Sequence, residues 1–170
     1  MVSVSEVLNL EVPGYGWIDW GTHLDELLPW FPEQNILRRE QHPDHPVFAF
    51  DECLGRSVIV HTTGRVCGTE AKVRLNFCEG RLCAVHYFFS QTAGLDDRDY
   101  CAILECLRRR LTATLGPSGM GTKAAGHGDV SFRWSQVGLH AEMRAFRDQD
   151  RTIQLATNNP AVCDWCFKAR

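Results

Sequence analysis

From Ala71 to Thr157 the chain reads strand, tight turn, strand, one well-marked helix, then three more strands, and that order restricts the fold class before any single residue is weighed. Lys72 to Cys78 and Leu82 to Ser90 form a hairpin around Glu79-Gly80-Arg81, a three-residue loop with glycine where a positive φ is wanted. That loop length puts Val73, Leu75 and Phe77 on one face with Cys83, Val85, Tyr87 and Phe89. The other face is mixed, with Lys72, Arg74, Asn76 and Cys78 beside Leu82, Ala84, His86 and Phe88, and is expected to be half wet or covered. Beyond the helix, Val130, Phe132 and Trp134 alternate with polar residues, as do Leu139, Ala141, Met143 and Ala145, and Asp148-Gln149-Asp150 turns the chain into Thr152 to Ala156. Strands joined by such short turns imply an antiparallel meander.

The helix runs over Asp96 to Leu115. Tyr100, Ile103, Leu104, Leu107, Leu111 and Leu115 recur at helical spacing and make a stripe that must pack on a sheet. Asp96 is the expected N-cap, with Asp97 and Asp99 in the first turn, while Gly116 and Pro117 supply the stop. Arg108, Arg109 and Arg110 then stand near the negative pole of the dipole, an explanation that competes with a basic binding patch.

The first third repeats this plan more loosely. Thr22 with Asp25 resembles a capping box opening an amphipathic helix with Leu24, Leu27 and Leu28, which Pro29 should end. Strands are expected at Val47 to Asp51 and Arg56 to Thr62. The chain thus reads as one α+β domain over 1–170, with 1–16 and 158–170 as terminal extensions. Its architecture would be a curved antiparallel sheet of about seven strands with two helices packed on one face. The two halves form a degenerate tandem repeat in pattern only, without residue identity between them.

With 44% hydrophobic and 23% charged residues, a chain of 170 residues buries most of its apolar surface without metal or cross-link. A net charge of -3 gives no basic stripe for nucleic acid. Neither a signal-peptide core nor a membrane-spanning run is present, so the expected location is the cytoplasm. In that compartment the eight cysteines are expected to be mainly thiols behaving as small hydrophobes rather than a disulfide framework.

Chemistry-bearing motifs are sparse. Gly116 to Lys123 has a glycine-rich composition, but its order is Gly-Thr-Lys and it follows a helix C-terminus, whose negative pole repels phosphate. Cys163-Asp-Trp-Cys166 has the gap of half a zinc site, and His42 and His45 could supply the other half; the competing reading is an apolar tail docked on the body. Apart from that zinc alternative no cofactor is expected. There is no Gly-x-Ser-x-Gly elbow and no His-Glu-x-x-His, so no catalytic residue is assigned. Trp17, Trp20, Trp30 and Phe31 instead cluster in a segment broken by glycine and proline, where tryptophans make good interface anchors. Asp44, Asp51, Glu52, Asp148 and Asp150 lie at expected loops, where they either mark turns or meet a basic partner.

Trp20-Gly21 before the first helix, Phe-x-Glu-Gly-Arg-Leu at Phe77 to Leu82, and Leu-Gly-Pro closing the second helix together resemble small bacterial α+β toxin-immunity proteins. They also resemble the helix-plus-meander fold of β-lactamase inhibitor proteins. The resemblance covers Ile18 to Thr157 and carries no site residue across. It implies a non-catalytic, cytoplasmic bacterial protein, monomer or homodimer, that blocks a cognate toxin or effector and binds neither nucleic acid nor membrane. The alternative is a zinc- or small-ligand-binding protein using Cys163 and Cys166.

Overall fold

The computed structural model describes residues 10–48, 56–89, 95–120, 130–136, 139–146 and 152–158. It is a mixed α+β fold whose strand pairings are all antiparallel. A small ribbon of β1 (Glu11–Val12) and β2 (Gly16–Trp17) precedes a one-turn helix α1 (Leu24–Leu27). Four strands follow: β3 (Ile36–Arg38), β4 (Ser57–Val66), β5 (Thr69–Cys78) and β6 (Arg81–Phe89). The long helix α2 (Asp97–Leu115) leads into β7 (Gly119–Met120), β8 (Val130–Gln136), β9 (Leu139–Phe146) and β10 (Thr152–Asn158).

Among the described residues the main sheet has eight strands in the order β3-β4-β5-β6-β10-β9-β8-β7. Two four-stranded meanders, each preceded by a helix, therefore meet at their last strands, β6 against β10. This corrects the expectation of a single sheet of about seven strands. Ile36–Arg38 and Gly119–Met120 add short edge strands, while Pro46–Phe48 is a 3-10 turn where the strand expected over Val47 to Asp51 would begin, the rest of which lies outside the described residues. Short edges that carry few paired residues give weak alternation, which is why the sequence pattern passes over them.

The turns of the first meander are tighter than the loop-length reading allows. Cys78 pairs with Arg81, so Glu79 and Gly80 alone make the turn, with φ of 50° and 76°. Cys67 and Gly68 do the same between β4 and β5, with φ of 52° and 77°. Two consecutive positive φ values match the twist of a two-residue hairpin. The shorter turn alone would move Leu82 onto the face of Phe77 and flip every later residue of β6. A bulge restores them: Asn76 faces Ala84 while Phe77 faces Leu82, so Cys83 is the extra residue. Its Sγ lies 3.2 Å from the Asn76 carbonyl oxygen. Val85, Tyr87 and Phe89 thus keep the face expected of them, and Cys83 loses it.

One core lies on that face. It joins Val60, Val73, Leu75, Val85, Tyr87, Leu155, Met143 and Trp134 of the sheet to the α2 residues Tyr100, Ile103, Leu107, Leu111 and Leu115. Leu24 and Leu27 of α1 and Leu10, Val12, Ile18 and Trp20 around the ribbon belong to it as well. Leu10 and Val12 are therefore core residues inside the expected N-terminal extension. Leu10 reaches Gly64 of β4, where an added Cβ would come 2.8 Å from Leu10 Cδ1; only glycine leaves that seat open.

The two described α-helices begin for local reasons. The Asp96 carboxylate accepts the Asp99 N–H at 2.7 Å, the expected N-cap. The first helix starts one residue later than the capping-box reading: His23 is its N-cap, and its N–H donates to Glu26 Oε1 at 3.3 Å. Thr22 is instead buried, and its hydroxyl accepts from the Asp19 N–H at 3.1 Å. The Leu24 N–H donates to the Gly80 carbonyl at 2.8 Å, fixing α1 on the β5–β6 turn. Arg108 and Arg109 pair with Glu105 at 3.0 and 3.9 Å and stand before the last turn, so exposed ion pairs rather than the dipole account for them.

The cysteine expectation is also corrected. Cys67 at the β4–β5 turn is disulfide-bonded to Cys106 of α2, with Cα atoms 6.1 Å apart, and Cys78 is disulfide-bonded too. Among the described residues Cys83 and Cys101 remain free thiols, the first buried and the second exposed. Sequence spacing could not reveal the pair, because only the fold brings a hairpin tip against the flank of a later helix.

Tyr87 is wholly buried, its hydroxyl has no hydrogen-bond partner among the described residues, and burial drives its ionisation far above the ordinary tyrosine range. Tyr87→Phe is therefore expected to raise the unfolding free energy by about 1 kcal/mol, because it removes an unsatisfied buried hydroxyl without changing ring volume. A lower urea midpoint for the variant would show that the hydroxyl is satisfied.

Candidate functional site

The ribbon and α1 form one braced unit that presents two tryptophans. Trp17 pairs with exposed Glu11 across the ribbon, whereas neighbouring Val12 faces the core. Trp30 ends the 3-10 turn Leu28–Trp30 that Pro29 forces after α1, and its ring lies on Gly14. A Cβ at Gly14 would come 2.8 Å from Trp30 Cε3 and Cζ3, and the φ of +85° there also selects glycine. Tyr15 donates its hydroxyl hydrogen to Glu26 at 3.1 Å, tying the ribbon turn to α1. On this frame Trp17 and Trp30 stay 55% and 49% exposed, the large hydrophobic side chains left in solvent among the described residues.

The other expected site residues separate. Trp20 is only 4% exposed and is no surface anchor: in the turn that follows the ribbon its side chain belongs to the core. Phe31 is half-buried against that core. Asp44 is exposed, and Asp51, Glu52, Asp148 and Asp150 lie outside the described residues. His42 and His45 are exposed on one turn, where His45 Nδ1 accepts the Val47 N–H at 3.2 Å and its ring meets Phe48 edge-on. Cys163 and Cys166 lie outside the described residues, and no group of three or more His, Cys, Asp or Glu that could hold a metal occurs among those described.

A second surface was not legible as a site. On the face of the sheet opposite the core, the register aligns His61, Arg74, His86 and Ala156 across β4, β5, β6 and β10. The next row aligns Thr63, Lys72, Phe88 and Gln154. Arg74 Nη2 lies 2.9 Å from His86 Nδ1, and its guanidinium stands 5.7 Å from the centre of the Phe88 ring. A guanidinium can only donate, so this contact requires His86 to be unprotonated at Nδ1. The third row, Asn76, Ala84 and Asn158, closes one end of the face; Asn158 is 1% exposed, and neither atom of its amide has a partner among the described residues.

His61 titrates below the ordinary histidine range, chiefly through partial burial and then through the charges of Arg74 and His45. A lowered folded-state value means the unfolded chain takes the proton first. Stability at this site is therefore complete above the unfolded value and declines as pH falls below it. In an NMR titration the His61 imidazole is expected to show a midpoint below that of a free histidine, and a midpoint above it would contradict the placement of Arg74.

Comparison with protein-family models, with curated proteins and with solved structures finds no match for this chain. Fold and surface together define an antiparallel α+β protein with an aromatic projection on one side and a basic, histidine-bearing sheet face on the other. Among the described residues no helix is long and apolar enough to cross a membrane.

Proposed function

We propose that this chain is a non-catalytic protein-binding protein that engages its partner through Trp17 and Trp30. The observation that carries this reading is the pair of half-exposed tryptophans on a ribbon braced by Gly14, Tyr15 and Glu26. Leaving such rings in water is unfavourable by the measure of their apolar area, and rigid aromatic anchors lose little entropy on binding. The partner class, a toxin or effector that the protein neutralises by blocking it, rests on the resemblance of the Trp20-Gly21, Phe77 to Leu82 and Leu115-Gly116-Pro117 segments to immunity proteins. The Cys67–Cys106 bond supports an oxidising compartment in preference to the cytoplasm.

The test is co-expression with the toxin encoded by an adjacent gene. Wild-type protein is expected to protect the cell and to form a stoichiometric complex, and Trp17→Ala/Trp30→Ala is expected to weaken the complex at least 30-fold, about 1 kcal/mol or more per anchor. A double variant that binds and protects as well as wild type would remove the tryptophans from the interface.

A further inference from the structure

We infer that the sheet face bearing Lys72, Arg74, His61 and His86 is a second recognition surface, shaped for an extended polypeptide segment with acidic residues at alternate positions. It deepens the protein-binding reading but uses a surface remote in sequence from the two tryptophans and independent of them.

Along β5 the residues on this face are Glu70, Lys72, Arg74 and Asn76, each two positions from the next. Alternate residues of a strand lie about 6.8 Å apart, and so do alternate residues of an extended ligand. A segment laid along β5 therefore brings a carboxylate over Lys72 and a second over Arg74 without bending. Its next residue on that face meets Asn76 at one end and Glu70 at the other, so the surface favours a cation or neutral residue before the acidic pair. The chemistry is graded in the same way: Lys72 is exposed, Arg74 is half-buried and held over Phe88, and exposed His61 flanks Arg74 on the β4 side.

Charge distribution points to the same ligand. The whole chain has a net charge of -3, yet the described side chains of β4, β5 and β6 on this face include Arg65, Lys72 and Arg74 against Glu70 alone. The field of the molecule would repel a long polyanion such as nucleic acid, whereas a short segment with two carboxylates senses chiefly the local cations.

The probe is an acetylated Thr-Glu-Thr-Glu-Thr peptide titrated into the full-length, disulfide-bonded protein and followed by NMR. Saturable shifts at Lys72, Arg74, His86 and Phe88 are expected, with a dissociation constant on the order of 1 mM. Lys72→Gln, which changes an exposed side chain and leaves the fold intact, should weaken binding about five-fold, and Arg74→Gln by at least as much. Three outcomes overturn the proposal: no saturation at ten times that concentration, equal binding of the Thr-Gln-Thr-Gln-Thr peptide, or unchanged affinity in Lys72→Gln. Trp17→Ala/Trp30→Ala should bind the peptide as wild type does. A double variant that keeps both partner and peptide binding would thus reject the tryptophan reading alone, and a wild-type protein that binds its partner through the tryptophans but not the peptide would reject this one alone.

Discussion

Cys67→Ala/Cys106→Ala is expected to lower the unfolding free energy by about 4 kcal/mol at 25 °C and the melting temperature by about 10 °C. The bond joins residues separated by 39 positions, and loop-closure entropy grows with the logarithm of that length. Its placement strengthens the expectation. One sulfur sits at the tip of the β4–β5 hairpin and the other on α2, so the bond clamps the first meander to the helix that opens the second. Without it, the two halves are held together by the β6–β10 pairing and the shared core. Urea denaturation of the double variant beside Cys101→Ser provides the check, since Cys101 is an exposed free thiol whose loss should leave the midpoint unchanged. Equal midpoints for wild type and the double variant would mean the bond contributes nothing.

Trp134→Ala should cost a similar amount, about 4 kcal/mol. Trp134 is buried where β8 meets α2; its Nε1–H lies 3.4 Å from Thr112 Oγ1, and Phe132 stacks beside it at 6.0 Å. Its partner across the sheet is Ala141, too small to fill the volume that an alanine at 134 would vacate. Trp134→Phe should recover most of the loss, and Thr112→Val should cost no more than about 1 kcal/mol, because only the hydrogen bond is at stake. If Trp134→Ala unfolds at the same urea concentration as Trp134→Phe, the ring is not the wedge between helix and sheet.

Local order explains what could be read without a structure. The α2 stripe of Tyr100, Ile103, Leu107, Leu111 and Leu115, its Asp96 cap and its Gly116 stop all follow from interactions within a few residues, and each stands as expected. The exposed tryptophans were legible for the same reason, because Gly14, Gly16 and Pro29 break every element that could have buried Trp17 and Trp30. Trp20 differs from them only in its tertiary neighbours, which its own sequence context does not record.

Long-range pairing was a different matter. Two histidines, an arginine and a lysine on three strands look like scattered polar positions until the register sets them side by side. That register depends on a two-residue turn at Glu79-Gly80 and a compensating bulge at Cys83, and a slip of one position would have sent the whole row into the core. The Cys67–Cys106 bond likewise exists only because hairpin tip and helix meet in space. Periodicity and caps, which act between near neighbours, determined that this chain forms helices and an antiparallel sheet. Which side chains share a surface, which cysteines pair and where charge collects were decided by tertiary contacts, because strand pairing joins residues that no local pattern connects.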